Sequence, residues 1–387
     1  MPRPLVLLLI ALLGMFTVQH LLAPTLGPLS LQLDLTGSQL GLVFTVASVS
    51  VTVASPLWGL ALDAFGLRPV LAAGLGLSLV GLAGFAAAST LVADETLTPE
   101  LTFVLALVFR SFLVGAGIAV LPVAALAVAG TTHEAWRTTA VGVVGAVQGL
   151  AGVIGPFLGG VLAIGSLLVP LFVAPAIALV LLIAVLVAVQ PGKLANPQPM
   201  VRTQPGDLAR VFGIGFLAHL ALGLVSVAAT LLAFDRRDGG ILALTALAFV
   251  LGIGLVVTQG VLVPVLRWPA DRLLRVGPPI AVAGCVILAA VPGTSATALA
   301  LLVLAVGLGF ALTGFAAAAS LGVGPHRQGL VAGSVNATAG LSTLIGPAVG
   351  GALYSLTPVA PMIAAGVAAV LAAGLALMAP RVPQSSA

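Results

Sequence analysis

The sequence predicts an all-α integral membrane protein with 12 transmembrane helices in two pseudo-symmetric six-helix bundles. Three observations lead to this fold class: an apolar composition, long uncharged runs and an internal repeat. Hydrophobic residues make up 60% of the 387, charged residues only 6%, and the mean hydropathy is +1.28. A water-soluble core of this size has no use for so much apolar side chain, so the chain belongs in a bilayer.

The uncharged runs predict helices, because a helix needs roughly 20 apolar residues to cross the hydrocarbon. Backbone polar groups in lipid must also be bonded within the segment. The period-two alternation of a membrane β-barrel is absent. Charged, Pro- and Gly-containing breaks place the helices near 4–29, 37–62, 69–92, 100–129, 138–163, 166–190, 208–234, 239–265, 277–295, 297–323, 329–354 and 357–380.

The chain therefore divides into an N-terminal bundle at 1–190, a polar cytoplasmic linker at 191–207 and a C-terminal bundle at 208–387. The first run is longer than the apolar part of a signal peptide and lacks an A-x-A-like cleavage pattern. We therefore expect it to be a retained helix.

The positive charges indicate the orientation in the membrane. With a cytoplasmic N-terminus, eleven Lys and Arg residues lie on the cytoplasmic side and two on the opposite side. These are Arg3, Arg68, Arg137, Lys193, Arg202, Arg210, Arg267, Arg272, Arg275, Arg327 and Arg381 inside, and Arg236 and Arg237 outside. We predict a multi-pass protein of the inner cell membrane with both termini in the cytoplasm.

An internal repeat relates the two halves. A shift from 137 to 328 aligns RTTAVGVVGAVQGLAGVIGPFLGGVL with QGLVAGSVNATAGLSTLIGPAVGGAL. Both segments keep an ordered Gly-Pro-x-x-Gly-Gly, which shared composition does not explain. Its residues are Gly155, Pro156, Gly159 and Gly160 in the first copy, and Gly346, Pro347, Gly350 and Gly351 in the second. Parallel six-helix repeats of this kind are typical of transporters.

Glycines recur along these two fifth helices in steps of three and four residues, which places them on one helix face. A face without side chains lets another helix backbone approach closely. Static packing explains any single glycine. Two equivalent stripes favour an interface that slides when the protein changes conformation.

These features resemble the major facilitator superfamily over essentially the whole chain. The loop GLALDAFGLRP after the second helix is similar to motif A of that family through Gly59, Asp63, Gly66 and Arg68. The segment GPFLGG resembles motif C of the drug:proton antiporter (multidrug efflux) branch. Arg110, followed by Gly115-Ala116-Gly117, resembles motif B.

The resemblance implies the family's fold of two six-helix bundles and a role for the carboxylate of motif A. Asp63 would face the positive N-terminal end of helix 11, near Gly329, and hold the cytoplasmic side closed. A carboxylate at that position gains about 0.3–1 kcal/mol. Ala64 and Leu67 replace residues that are usually basic in the family, which leaves Arg68 as the motif's cation.

Arg110 is a candidate binding residue because a charge at the bilayer centre costs at least ~2.5–3.5 kcal/mol. The second repeat has Leu302 at the equivalent position, so this charge is not part of the repeated architecture. No Asp or Glu lies inside any predicted span. The buried, proton-binding carboxylate of many drug antiporters is therefore missing.

Other polar residues fall within the predicted spans. His20 and His219 occupy similar depths in the first helix of each repeat, and histidine titrates at about pH 6.5. Either histidine could carry a coupling proton, or serve as a neutral hydrogen-bonding group. The remaining candidates for a substrate or proton pathway are Gln19, Gln148, Gln259, Thr313 and Asn336.

The leading interpretation is a secondary active transporter that moves a small molecule by alternating access, through proton-coupled efflux of a hydrophobic or amphiphilic compound. An organic anion transporter or uniporter that uses Arg110 is the alternative. An integral membrane enzyme or a non-transporting sensor is a different class. An enzyme would need a catalytic or metal motif, and H-E-x-x-H, G-x-S-x-G and Cys/His groupings are all absent.

We therefore expect no enzymatic activity, no cofactor and no metal site. The expected partners are the lipid bilayer, a small-molecule substrate and protons as the coupling ion. The basic residues are scattered singly over short loops, which membrane orientation explains better than nucleic-acid binding. We expect a monomer.

Overall fold

A computed structural model describes residues 2–22, 25, 29, 36–93, 98–190, 192, 205–235, 240–290 and 293–378. Regular structure in these residues is entirely helical, and 12 helices are long and apolar enough to cross a membrane, which confirms the fold class. The helices are α1 (Arg3–Leu21), α2 (Gly37–Phe65), α3 (Leu67–Ala93), α4 (Pro99–Gly130), α5 (Glu134–Ala163), α6 (Leu168–Ala188), α7 (Pro205–Asp235), α8 (Gly240–Leu266), α9 (Ala270–Ala290), α10 (Thr294–Leu321), α11 (Gln328–Tyr354) and α12 (Ala360–Met378).

Two of these helices contain π-helical turns, at Ala106–Leu113 in α4 and at Thr258–Leu262 in α8. Most of the linker at 191–207 lies outside the described residues. So do Lys193, Arg202, Arg236, Arg237 and Arg381, on which part of the orientation argument depends.

The predicted bounds of ten helices agree with the structure within four residues. Helix α9 was predicted too late, because it begins at Ala270 rather than at 277. Pro269 precedes this helix, and Asp271 in its first turn is favourable at a helix N-terminus. The adjacent Pro278 and Pro279 lie inside the helix and do not end it. The described part of α1 ends at Leu21 rather than at 29.

Close contacts divide the chain into two compact units. The first unit contains Met1–Val128, Leu150–Asn196 and His326–Gly340, and the second contains the remaining segments Ala129–Gly149, Pro197–Pro325 and Leu341–Ala387. Each unit thus includes the first half of a helix, α5 or α11, that belongs to the other sequence repeat. The division into bundles at 1–190 and 208–387 follows the repeat and stays a prediction.

In the first unit, α4 is the most deeply buried helix and packs between α2 and α3. Two hydrogen bonds between a side chain and a backbone carbonyl join it to α2. The Ser111 hydroxyl donates to the carbonyl of Val43 in α2 at 2.7 Å, and the indole Nε1 of Trp58 in α2 donates to the carbonyl of Ala116 at 2.7 Å. These bonds fix α4 against α2, one within the π-helical turn that carries Arg110 and one just after it.

In the second unit, α10 holds the central position and packs on α7, α8 and α9, while α12 packs on α7 and α9. Phe315 of α10 is completely buried and is the largest such side chain in the described part of the chain. Its ring makes an edge-on contact with Phe212 of α7, with the ring centroids 5.3 Å apart. The arrangement places α10 where its polar residues are shielded from lipid.

The Gly-Pro-x-x-Gly-Gly segments pack through two of their three glycines. A Cβ at Gly155 or Gly159 would collide with α1, and a Cβ at Gly346 would lie 3.1 Å from Gly223 of α7. Gly350 lies beside α7 as well, at ordinary contact distance from Val227. Pro156 and Pro347 lie within continuous helices.

Gly160 and Gly351, the third glycine of each segment, make no such contact with the described residues, because a Cβ at either position would meet no described atom within 4 Å. Their predicted part in helix packing stays a prediction. Each follows a packed glycine by one residue and therefore points about 100° away around a helix with 3.6 residues per turn.

This difference gives a matched pair of substitutions. Gly159→Ala places a Cβ against the backbone carbonyl of Leu21, whereas Gly160→Ala places it where no described atom lies within 4 Å. We expect Gly159→Ala to lower the free energy of unfolding by about 1–3 kcal/mol through overpacking. Gly160→Ala should leave it unchanged or raise it slightly, since Ala favours a helix. Thermal unfolding in detergent measures both, and equal effects would contradict the packing assignment.

Candidate functional site

Asp63 lies at the end of α2 and accepts two backbone hydrogen bonds at the start of α11. The N–H of Gly329 donates to its Oδ1 and the N–H of Leu330 to its Oδ2, each at 2.9 Å. Both donors are among the first N–H groups of α11, which have no acceptor within their own helix. The carboxylate therefore caps α11 and complements the positive end of the helix dipole.

Glycines make this contact possible. Gly59 of α2 and Gly329 of α11 touch backbone to backbone, so that a Cβ on either residue would overlap the other helix. Gly66 ends α2 with a φ of 83°, a conformation that only glycine adopts readily. Motif A thus combines a helix cap, a close approach and a turn.

The contact between α2 and α11 continues beyond the carboxylate. Gly333 approaches the backbone of Ser55, and the Nδ2 of Asn336 donates to the Ser55 hydroxyl at 2.8 Å. One turn further on, Gly340 meets Thr52. We call this row of contacts, from Asp63 to Thr52 on α2 and from Gly329 to Gly340 on α11, the α2–α11 seam. Asn336, proposed for the pathway, belongs to this seam.

Arg68 serves a different helix from Asp63. Its Nη2 donates to the carbonyl of Leu186 at 2.7 Å, near the end of α6. The last carbonyls of a helix lack partners and carry the negative end of the dipole, so a guanidinium there is favourable. Motif A therefore caps an N-terminus with its carboxylate and a C-terminus with its cation.

In the second unit, Gln259 packs against the first half of α5. It lies in the π-helical turn of α8 and is 7% exposed. A Cβ on Gly142 would lie 2.8 Å from its backbone carbonyl oxygen, and a Cβ on Gly145 would overlap its side-chain amide. We call this contact the α5–α8 seam. The glycine stripe of α5 therefore faces α8 in its first half and α1 in its second half.

Thr313 of α10 joins this cluster of polar residues. Its side chain is 3% exposed, its Oγ1 has no hydrogen-bond partner among the described residues, and its methyl group faces Gly142. Gln148 lies half-buried further along α5. The structure thus brings Gln259 and Thr313 together beside α5, in a place where polar groups are shielded from lipid.

Arg110 is enclosed by the first unit. It lies in the π-helical turn of α4 and is 7% exposed, and its Nε has no hydrogen-bond partner among the described residues. The only ion pair in the described part of the chain joins Arg210 to Asp207. Arg110 therefore carries a buried positive charge that no described carboxylate balances.

His20 of α1 lies within electrostatic range of Arg110. Its ring packs near that of Phe16, with the centroids 6.4 Å apart, and its Nε2 faces Gly152 of α5 at 3.8 Å from where a Cβ would lie. Gln19 beside it is half-buried. The first unit thus places a titratable imidazole and an unpaired guanidinium in one neighbourhood.

His219 is held within its own helix. Its Nδ1 lies 2.9 Å from the carbonyl of Gly215, one turn earlier in α7, and its ring meets Phe315 edge-on at 6.2 Å. A carbonyl oxygen can only accept a hydrogen bond, so Nδ1 carries the hydrogen, and in the neutral ring Nε2 is an acceptor. His219 belongs to the second unit and His20 to the first.

Reasoning from the sequence missed several features of this site. Nothing in the sequence signalled the two π-helical turns, although such turns often occur at functional sites and these carry Arg110 and Gln259. Trp58 could have been singled out, because it lies in the stretch SPLWG that precedes motif A. No cluster of His, Cys, Asp and Glu that could hold a metal occurs among the described residues.

The comparisons with known proteins agree with this architecture. The family model described as Major Facilitator Superfamily matches residues 7–342. No curated protein matches the sequence.

Several solved structures share the fold. The human organic anion transporter MFSD10 (TETRAN) is 17% identical, with 97% of this chain and 100% of that chain covered and a TM-score of 0.76. FucP in its outward conformation is 17% identical, with 98% of this chain and 99% of that chain covered and a TM-score of 0.72. A bacterial homologue of the iron transporter ferroportin, in an outward-facing state with soaked iron, is 16% identical, with 97% and 99% covered and a TM-score of 0.76.

Identities this low establish the fold, and the family follows from the sequence match, which spans most of the chain. The described residues form 12 helices that could span a bilayer, and the family model covers most of the sequence. The chain is therefore a transporter of a small substrate and belongs to the major facilitator superfamily.

Proposed function

We propose that this protein is a secondary transporter whose substrate is an amphiphilic organic anion, and that Arg110 binds the anionic group. The observation that carries the proposal is the burial of Arg110 without a described counter-charge. Leaving a cation unpaired in a low-dielectric site is costly, and such residues in membrane proteins mark substrate pathways. A carboxylate or phosphate on the substrate would supply the missing partner through charge-assisted hydrogen bonds.

The chemistry of the neighbouring residues supports an anion over a cation. No Asp or Glu occurs in the interior of the predicted spans, so a cationic substrate would find no opposite charge there. The apolar helices around the site suit a hydrophobic substrate body. MFSD10, whose fold this chain shares, is described as an organic anion transporter, which is compatible with the proposal.

His20 is the proposed proton carrier. It lies in the same unit as Arg110 and within electrostatic range of it. Like charges repel, so an anion that neutralises Arg110 also makes a positive charge on His20 less costly. Anion and proton would then favour the same state of the protein and travel in the same direction.

A second candidate is the export of hydrophobic or amphiphilic compounds in exchange for protons. The resemblance of the packed Gly155 and Gly159 to motif C of the antiporter branch favours it. Transport of a cationic dye and of an amphiphilic carboxylate, each measured across an imposed pH gradient, distinguishes the two candidates.

Alternating access is the proposed mechanism, with the bundles at 1–190 and 208–387 as the moving bodies and the linker at 191–207 joining them. The two seams, α2–α11 and α5–α8, each pack a helix of one repeat against a helix of the other. We propose that both form the cytoplasmic gate and separate in the alternate state. The positive-inside pattern supports an inner-membrane location with cytoplasmic termini, and we propose that the transporter works as a monomer.

Arg110→Gln tests the anion site. Because it removes the charge and the paired donors, we expect it to weaken binding of an amphiphilic carboxylate by roughly 10- to 100-fold, the usual range for charged hydrogen bonds. Binding of the uncharged amide analogue should change little. The ratio of the two affinities, measured on purified protein, reports on charge recognition independently of overall folding.

Arg137→Gln is the matched control, because Arg137 is also a buried arginine, 9% exposed, but lies near the start of α5. It should leave the carboxylate-to-amide ratio unchanged even if it lowers stability. A ratio that stays at the wild-type value in Arg110→Gln would remove Arg110 from the proposed site.

His20→Gln tests the proton coupling. The amide keeps a polar group but cannot take up a proton at ordinary pH, so we expect carboxylate flux in proteoliposomes to lose its response to an imposed pH gradient. Downhill flux along the substrate gradient should persist. His219→Gln serves as the comparison and should retain the response, whereas loss of the response in His219→Gln alone would move the proton to the second repeat.

Asp63→Asn tests the gate. Its two charge-assisted hydrogen bonds exist only while the α2–α11 seam is closed, and such bonds contribute about 1.5–3 kcal/mol each. Their loss should favour the open seam. Ser55 is completely buried where α2 meets α11. A cysteine can be introduced there in a protein whose Cys285 has been replaced. This cysteine should react with a maleimide reagent at least several-fold faster in Asp63→Asn than in the protein that keeps Asp63.

Asp207→Asn is the control for this measurement, since it removes a carboxylate whose partner, Arg210, is exposed. It should leave the labelling rate at the introduced cysteine unchanged. Equal rates in the wild type and in Asp63→Asn would show that the carboxylate does not hold the seam closed.

A further inference from the structure

We propose that the loop between α8 and α9 binds the phosphate of an anionic phospholipid headgroup through Arg267 and Arg272. This site is separate from the substrate pathway and lies entirely in the second compact unit. It also includes Trp136 at the start of α5 and Trp268 in the loop itself.

Each arginine is held over the face of a tryptophan ring. The guanidinium carbon of Arg267 lies 5.3 Å from the ring centroid of Trp136, and that of Arg272 lies 4.1 Å from the ring centroid of Trp268. Both distances are within the range of a cation–π interaction. A guanidinium stacked in this way is ordered, while the N–H groups at its edge stay free to donate to an in-plane acceptor.

The two guanidinium groups have no other partner in the described part of the chain. Neither forms a hydrogen bond or an ion pair with a described residue, and both side chains are exposed. Asp271 is the only carboxylate between 263 and 277, and it pairs with neither arginine. With Arg275 nearby, the loop region has two more positive than negative charges, counting three arginines against one aspartate.

The backbone at Arg267 adds a second observation. This residue ends α8 in the left-handed conformation, with φ 49° and ψ 32°, and is the only described non-glycine residue with positive φ. Such a helix end normally takes glycine, and the equivalent end of α2 has Gly66. An arginine at this position accepts backbone strain that glycine would avoid, as residues at binding sites often do.

The aromatic residues indicate that the phosphate belongs to a lipid. Trp136 is 56% exposed, and Trp268 packs on Phe310 of α10 with the ring centroids 5.6 Å apart. Tryptophan near the ends of membrane helices lies at the depth of the lipid headgroups. Basic residues at that depth between helices bind acidic lipid headgroups. A site with two ordered arginines, framed by aromatic rings at helix ends, fits a phosphate that is attached to acyl chains.

Quenching of tryptophan fluorescence by brominated lipids tests this site in the full-length protein, reconstituted in phosphatidylcholine. The protein has three tryptophans, and Trp136 and Trp268 are two of them. Brominated phosphatidylglycerol and brominated phosphatidylcholine are compared at the same low mole fraction. Attraction of acidic lipid amounts to about a fivefold enrichment per basic residue, so phosphatidylglycerol should quench several-fold more strongly.

The variant Arg267→Gly, Arg272→Gln should abolish this preference. Glycine suits the left-handed backbone at 267, so the substitution removes the guanidinium without disturbing the turn. Arg3→Gln is the matched control, because it removes an exposed charge that no tryptophan orders, and it should retain the preference. Equal quenching by the two lipids in the wild-type protein would overturn the proposal. So would a preference that survives in the double variant.

Discussion

Helix pairing in this protein depends on how closely two backbones can approach. In lipid, every helix already satisfies its own backbone hydrogen bonds, and apolar side chains gain little by leaving lipid for each other. The association of two helices must therefore be stabilised by close backbone packing and by a few hydrogen bonds between them. Glycine supplies the short distances at Gly59 with Gly329, at Gly142 and Gly145 with α8, and at Gly159 with α1. The positions of the polar residues follow from these contacts.

The two repeats share their backbone plan but not their charges. Asp63 in the first repeat is balanced by two backbone donors. Asp63 lies three positions before Gly66, which ends α2, and the residue three positions before Arg267, which ends α8, is Pro264. Arg110 has Leu302 as its counterpart. A symmetric scaffold thus carries asymmetric chemistry, with the unbalanced cation in one half and neutral hydrogen-bonding groups such as Gln259 and Thr313 in the other.

The sequence determines the fold class in this protein because its signals are local. Apolar runs predicted the number of helices, and the repeat related each helix of one half to a helix of the other. The predicted bounds of ten helices therefore lie close to the observed ones. Features that depend on neighbouring helices could not be predicted. The partner of Arg68 on α6 lies 118 residues away in sequence. No sequence signal marked the π-helical turn around Arg110. The start of α9 was missed for a different reason, since the local signals of Pro269 and Asp271 outweigh hydropathy there.

The sequence identified candidate site residues but could not show which of them lie together. It identified Arg110, His20 and Gln259 as polar residues in apolar helices, but not which of them share a neighbourhood. Asn336 was grouped with the pathway, and the structure places it on Ser55 in the α2–α11 seam.

Helix α5 runs unbroken from Glu134 to Ala163, yet its two ends are anchored to different surroundings, α8 for the first half and α1 for the second. A helix that is held at both ends bends most easily where its backbone hydrogen bonding is interrupted. Pro156 removes one backbone hydrogen bond within the turn that begins at Gly152, and this is the turn that faces the imidazole of His20. Flexing of α5 would therefore alter the surroundings of that imidazole directly, so the proposed movement and the proposed proton carrier meet in one short stretch of chain.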